Sequence, residues 1–156
     1  RCANWRASDV EFRAAVMQDL TAVMSIERRA HFHPWSESVI SRYLQKPGSA
    51  WIAEENGTVL GWAVITLIAG EAELLMIAVD PDYQGKGTGR ALMNFLLNYL
   101  TEKQAEQWFL DVRESNSKAI ALYESMGFCL AGNRSNYYPT ANGHEDALLY
   151  CLDLQP

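Results

Sequence analysis

The chain has 156 residues, room for one domain and little for a second. Apolar residues make up 49% of it, which allows a sizeable core and excludes wholesale disorder. The formal charge of −6 argues against a nucleic-acid binder working through a broad basic face, and no apolar run nears the ~20 residues of a membrane helix.

Residues 1–8 read as an appended or processed extension, and 9–156 as a single domain of alternating strand-like and helix-like segments. Phe12 to Val16 suits a first strand. Asp19 can cap a helix that carries Leu20, Val23, Met24 and Ile26 on one face, and Ser36 a shorter helix reaching about Leu44. Asn56-Gly57, between Trp51–Glu55 and Val59–Val64, predicts a two-residue hairpin turn. Leu74 to Val79 is continuously apolar, as expected for a strand covered on both faces. A glycine-rich turn follows, then a helix with Leu92, Phe95, Leu96, Tyr99 and Leu100 at helical spacing. Trp108 to Val112 reads as another central strand. Ser115 or Asn116 can cap a helix that Gly127 ends. Strands near Phe128–Gly132 and Ala147–Leu152 are expected to flank a polar loop.

The turn Gln84-Gly85-Lys86-Gly87-Thr88-Gly89-Arg90 lies between a buried strand and a helix start. Glycines let backbone N–H groups approach a ligand, and the helix adds unpaired amides with partial positive charge. The combination suits a phosphate or pyrophosphate. Lys86 is followed by Gly87, so this is no Walker A loop, and counting from Gly85 the dinucleotide fingerprint fails at Arg90. The spacing is Q-x-x-G-x-G.

The run Ile77 to Leu92 resembles the cofactor motif of GNAT acetyltransferases, and Asp111 to Asn116 with Ala119 to Phe128 resembles the motif that follows. Arg29-Ala30-His31, Pro34-Trp35-Ser36, Asn136 to Thr140 and Glu145-Asp146-Ala147 resemble the RimI-type subfamily, whose members acetylate the N-terminal alanine of a small-subunit ribosomal protein. The likeness spans about Glu11 to Leu152. It implies a mixed, bent, mostly antiparallel sheet flanked by helices, with acetyl-CoA between two splayed central strands. It further implies that backbone groups of Ile77, Ala78 and Val79 pair with the pantetheine arm. Gly85, Lys86, Gly87, Thr88, Gly89 and Arg90 would hold the pyrophosphate, and Asn116 would touch the cosubstrate beyond it. No metal is implied, and the partner is a protein N-terminus in the cytoplasm.

Acetyl transfer to an amine needs a base for the ammonium and a proton for the leaving thiolate. By resemblance the base position is Asp111, where the family usually has the longer Glu, and the acid is Tyr123. Each has a plain structural alternative: Asp111 can hold backbone or Arg113, and Tyr123 can pack with Ala119 and Ile120 on one helical face. Pro34, Trp35, Tyr137 and Tyr138 match loops that receive the peptide in related enzymes. Glu71, Glu73 and Glu114 can add negative potential for a basic peptide or simply be solvated.

Cys2, Cys129 and Cys151 are odd in number and widely spaced, so free thiols are expected, with Cys129 a buried structural one. His31, His33 and His144 form no metal-binding spacing. Acetylation of lysine side chains or a small amine remains an alternative, as does a non-catalytic acetyl-CoA-binding regulatory domain.

Overall fold

The hairpin at Asn56-Gly57 forms as its residues dictate, with φ of 52° and 84°, the positive values that a type I′ turn demands. It lies within a computed structural model describing residues 9–155; the extension expected at residues 1–8 and Cys2 fall outside the described residues. The chain runs β1 (Val10–Ala14), α1 (Leu20–Ala30), α2 (Glu37–Gln45), β2 (Ala50–Glu55), β3 (Thr58–Ile68), β4 (Glu71–Val79), α3 (Thr88–Glu102), β5 (Gln107–Arg113), α4 (Ser117–Ser125), β6 (Cys129–Thr140) and β7 (Gly143–Asp153). The strands form one sheet in the order β1-β2-β3-β4-β5-β7-β6. The β1–β2, β2–β3, β5–β7 and β6–β7 pairs are antiparallel, while β4 and β5 are parallel. The mixed, mostly antiparallel sheet with helices is the expected class.

Contacts divide the chain into two compact units. The first comprises the residues up to Ile65 together with Met76–Leu97. Its core holds Val23, Ile26, Ile40, Ile52, Trp62, Leu92 and Leu96, each 1% exposed or less. Phe95 lies 5.1 Å from the Phe12 ring and 5.4 Å from that of Trp51, so α3 covers β1 and β2 through one aromatic residue. The second unit, Thr66–Leu75 with Asn98 onward, is built on Trp108, Leu110, Phe128 and Tyr150. Among the described residues no helix is long and apolar enough to cross a membrane.

Several expectations need correction. β1 lies two residues earlier than predicted, because its register with β2 runs from Val10↔Glu55 to Ala14↔Trp51. Asp19 does not cap α1 through its side chain. Its carboxylate instead accepts Val16 N at 2.8 Å and both terminal nitrogens of Arg13, at 2.9 and 2.8 Å. The predicted polar loop after Gly132 is strand: β7 is paired on both sides, and its ladder with β6 extends through polar residues to Thr140↔Gly143. Cys129 is exposed rather than buried, opposite Cys151 in that ladder, and both are free thiols.

Two local features position the site. The parallel register of β4 and β5 runs from Glu71↔Gln107 to Leu74↔Leu110, whereas β4 itself continues to Val79. In β6 the partners step from Arg134↔Ala147 to Tyr138↔Glu145, so Ser135, Asn136 and Tyr137 bulge opposite Asp146. Asn136 takes a φ of 53° there. Asp146 holds the bulge by accepting Asn136 N at 2.9 Å and Asn133 Nδ2 at 3.2 Å.

Candidate active site

In the first unit the site grows from the end of β4. Ile77 and Val79 are half-buried and Ala78 is buried. β3 can lie close to this segment because Gly61 has no side chain: a Cβ there would sit 2.8 Å from Ala78 O. Asp80 then turns the chain, accepting Asp82 N at 2.9 Å and a two-pronged grip from Arg29 of α1 at 2.9 and 2.8 Å. The Arg29 guanidinium holds the Asp80 carboxyl below its ordinary range despite burial. Gln84 Nε2 donates to Val79 O at 3.0 Å, closing the turn back onto the strand.

Gly85 and Gly87 follow with φ of 79° and 85°, and nothing lies within 4 Å of where their Cβ atoms would be. Lys86 and Arg90 are exposed, and Lys86 Nζ stands 5.6 Å from the Tyr83 ring centre. The first-turn amides of α3 have no carbonyl a turn earlier to bond. An exposed turn of glycines, two cations and a helix start is a fit for an anionic diphosphate. Gly87→Val tests it: a β-branched residue is strained at this φ, while the open space leaves the fold intact. Calorimetry is expected to show acetyl-CoA bound about tenfold more weakly or worse. Unchanged affinity removes the turn from the site.

The loop after α1 carries Pro34, which is exposed, and Trp35, whose ring stacks on Tyr43 at 5.3 Å and meets Trp62 edge-on at 6.0 Å. Ser36 caps α2 as predicted, accepting Val39 N at 3.3 Å.

In the second unit Asp111 lies on β5, its side chain 17% exposed. Arg113, one partner that the structural alternative offered it, goes elsewhere. Arg113 Nη1 donates to Pro139 O at 3.0 Å and Glu145 Oε2 at 3.1 Å, and its guanidinium covers the Tyr138 ring at 4.5 Å. Arg134 of β6 supplies the countercharge, its Nε 3.2 Å from Asp111 Oδ1. The contact is an ion pair without the geometry of a hydrogen bond, and Oδ1 is buried without a hydrogen-bond donor among the described residues. Glu145 also accepts Ser115 N and Oγ, both at 3.1 Å, and so ties the β5–α4 loop to β7.

Tyr123 of α4 is 5% exposed and packs its ring 5.8 Å from Phe128. Burial, with Tyr138 adding, pushes its hydroxyl well above the ordinary tyrosine value. Burial likewise pushes Tyr138 up to about 12; Asp111 and Tyr137 add to this, while Arg113 and Arg134 oppose it. Tyr138 is thus the electrostatic neighbour of both Asp111 and Tyr123. Tyr137 is 50% exposed, meets Tyr138 edge-on at 5.0 Å and carries Arg134 5.4 Å over its ring. Asn116 is the cap of α4, its Oδ1 accepting Ala119 N at 3.1 Å. The exposed side chain therefore already serves a structural purpose.

The contacts of Arg134, Asp146 and the Arg29–Asp80 pair are not readable from the sequence, although Arg29, Asp80 and Asp146 lie in its motif stretches; Arg29 and Asp80 are 51 positions apart. Their partners are set by strand register and helix packing, which no local motif records.

Residues 20–128 match the Acetyltransferase (GNAT) family. The chain is 43% identical over 136 residues to the [ribosomal protein bS18]-alanine N-acetyltransferase of Escherichia coli K12, covering 87% of this chain and 92% of that protein. It is 38% identical over 137 residues to the Haemophilus influenzae protein of the same name, covering 84% and 90%. The crystal structure of the ribosomal-protein-S18-alanine N-acetyltransferase from E. coli superposes with a TM-score of 0.89 at 40% identity, over 94% of this chain and 95% of that one. At 21% identity, yncA from Salmonella typhimurium, solved with acetyl-CoA, shares the fold with a TM-score of 0.80 over 95% of each chain. On the family match and these identities, the chain belongs to the GNAT acetyltransferases.

Proposed function

We propose that the protein transfers acetyl from acetyl-CoA to the α-amine of a protein, the N-terminal alanine of ribosomal protein bS18 being the natural acceptor. The observation carrying this is the 43% identity across 87% of the chain with an enzyme named for that activity. A cytoplasmic location goes with such a substrate.

Acetyl-CoA supplies an activated acetyl group as its thioester. Gly85, Lys86, Gly87, Thr88, Gly89 and Arg90 hold its diphosphate through backbone amides and positive charge. β4 running on to Val79 past its last β5 partner supports backbone pairing of Ile77, Ala78 and Val79 with the pantetheine arm. A backbone N–H of that segment polarises the thioester oxygen. Pro34, Trp35, Tyr137 and Tyr138 receive the peptide. Asp111 takes the ammonium proton, directly or through a water, using the open capacity of Oδ1. Tyr123, held protonated by burial, delivers a proton to the departing sulfur. Both residues act within one complex of enzyme, acetyl-CoA and peptide, with no acetyl-enzyme stage.

Incubation with acetyl-CoA and peptides beginning Ala, Ser or Met, plus lysine-containing peptides with blocked N-termini, tests the assignment. Mass spectrometry is expected to find acetyl on the α-amine, with alanine preferred. Acetylation of lysine side chains alone points to the lysine alternative. No transfer despite acetyl-CoA uptake points to a regulatory domain.

A further inference from the structure

Glu27 of α1 is 0% exposed, a burial that charged residues rarely reach without dedicated partners. Of the cations beside it in sequence, Arg28 is exposed and Arg29 is committed to Asp80. Two N–H donors satisfy the carboxylate instead. Trp62 Nε1 of β3 reaches Oε2 at 3.0 Å, and the backbone N of Trp35 reaches Oε1 at 3.2 Å. His31 Nε2 stands 3.6 Å from Oε2, too far to donate well.

These contacts close a triangle. Glu27 holds the indole N–H of Trp62 and the main chain of Trp35, while the two indoles meet edge-on at 6.0 Å. The loop so held is otherwise open: Phe32 is 62% exposed, and His33 and Pro34 are exposed too. A buried carboxylate is a poor device for stability, since packed apolar atoms of like volume do as well or better. Glu27 also has no part in the proton transfers. What a carboxylate does here that an apolar side chain cannot is accept two N–H bonds from different elements.

We infer that Glu27 is a positioning residue: it fixes the Pro34–Trp35 wall and so sets the affinity for the acceptor peptide, not for acetyl-CoA. This rests on the proposal that the wall receives the peptide.

Glu27→Gln keeps the shape but offers one carbonyl oxygen, so one N–H faces an amide NH2. The loop is cheaper to move than β3. Peptide KM is expected to rise about tenfold or more, the size of one lost bond to a charged acceptor. Acetyl-CoA KM and kcat at saturating peptide should stay within about twofold. If both KM values worsen together with kcat, or peptide KM stays put, Glu27 has no positioning role. Trp35→Ala separates this from the underlying reading. Unchanged peptide KM in that variant removes the wall itself, whereas a raised value beside a normal Glu27→Gln variant removes only Glu27. Amide exchange on the unsubstituted protein needs no variant to fold. The Trp35 N–H should exchange much more slowly than those of Phe32 and His33, and equal rates overturn the inference.

Discussion

Asp111→Asn is expected to lower kcat by about 10²- to 10⁴-fold at neutral pH, the range of a positioned general base. A peptide α-amine has a pKa of about 8, so at pH 7 most of it arrives protonated and must lose that proton before attack. Asparagine matches the shape and can still face Arg134 at the position where the carboxylate lies 3.2 Å away, so folding and acetyl-CoA binding should survive. What it cannot do is take a proton. The deficit should therefore narrow as pH rises past about 8, where the amine deprotonates unaided. A variant keeping wild-type kcat at pH 7 takes Asp111 out of the mechanism. Asp111→Glu is the companion: it restores the side chain usual in the family, and the extra methylene lengthens reach by about 1.5 Å. Activity retained in that variant fits a site with room for a water beside the shorter acid.

Tyr123→Phe is expected to reduce kcat by about 10²-fold or more while leaving KM for both substrates near normal. The ring stays, with its packing 5.8 Å from Phe128, so Tm should move little. Only the hydroxyl goes. Its burial pushes the proton-loss equilibrium upward, so the group remains a donor throughout pH 6–9. The sign matters for reading a pH profile. A raised pKa means that Tyr123 contributes no basic limb below about pH 10, the unperturbed tyrosine value. Single-turnover rates with saturating acetyl-CoA and peptide give the cleanest measure, because product release is then excluded. Unchanged turnover would leave Tyr123 as a core residue.

Much of this arrangement was legible in the residues because it is local. The Asn-Gly turn, the caps Ser36 and Asn116, and the stop at Gly127 (φ 103°) each depend on atoms a few positions apart. The glycine turn is of this kind too, since φ of 79° and 85° at Gly85 and Gly87 is what those residues permit. The second hairpin is not legible in the sequence because its turn is Ala69-Gly70, and alanine at φ 52° gives no warning. β6 and β7 were underestimated because polar side chains there hid a ladder sustained by backbone pairing. The partner of Asp111 is hidden for a related reason. Arg113, two residues along the same strand, is the obvious candidate in sequence, but strand register delivers Arg134 from β6 instead. Glu27 looks like one more polar position on an amphipathic helix. Only packing shows that both its oxygens face N–H donors.

The bulge in β6 has a consequence for self-association. β6 is the last strand in the sheet order, so among the described residues one side of it has no neighbouring strand. A straight twelve-residue border would offer a second molecule a continuous row of donors and acceptors to extend, the route by which sheets stack into aggregates. With three residues, 135–137, set against one on β7, a left-handed Asn136 and the missing N–H of Pro139, that row is interrupted. The distortion that presents Tyr137 thus also acts as a guard against fibril-like growth.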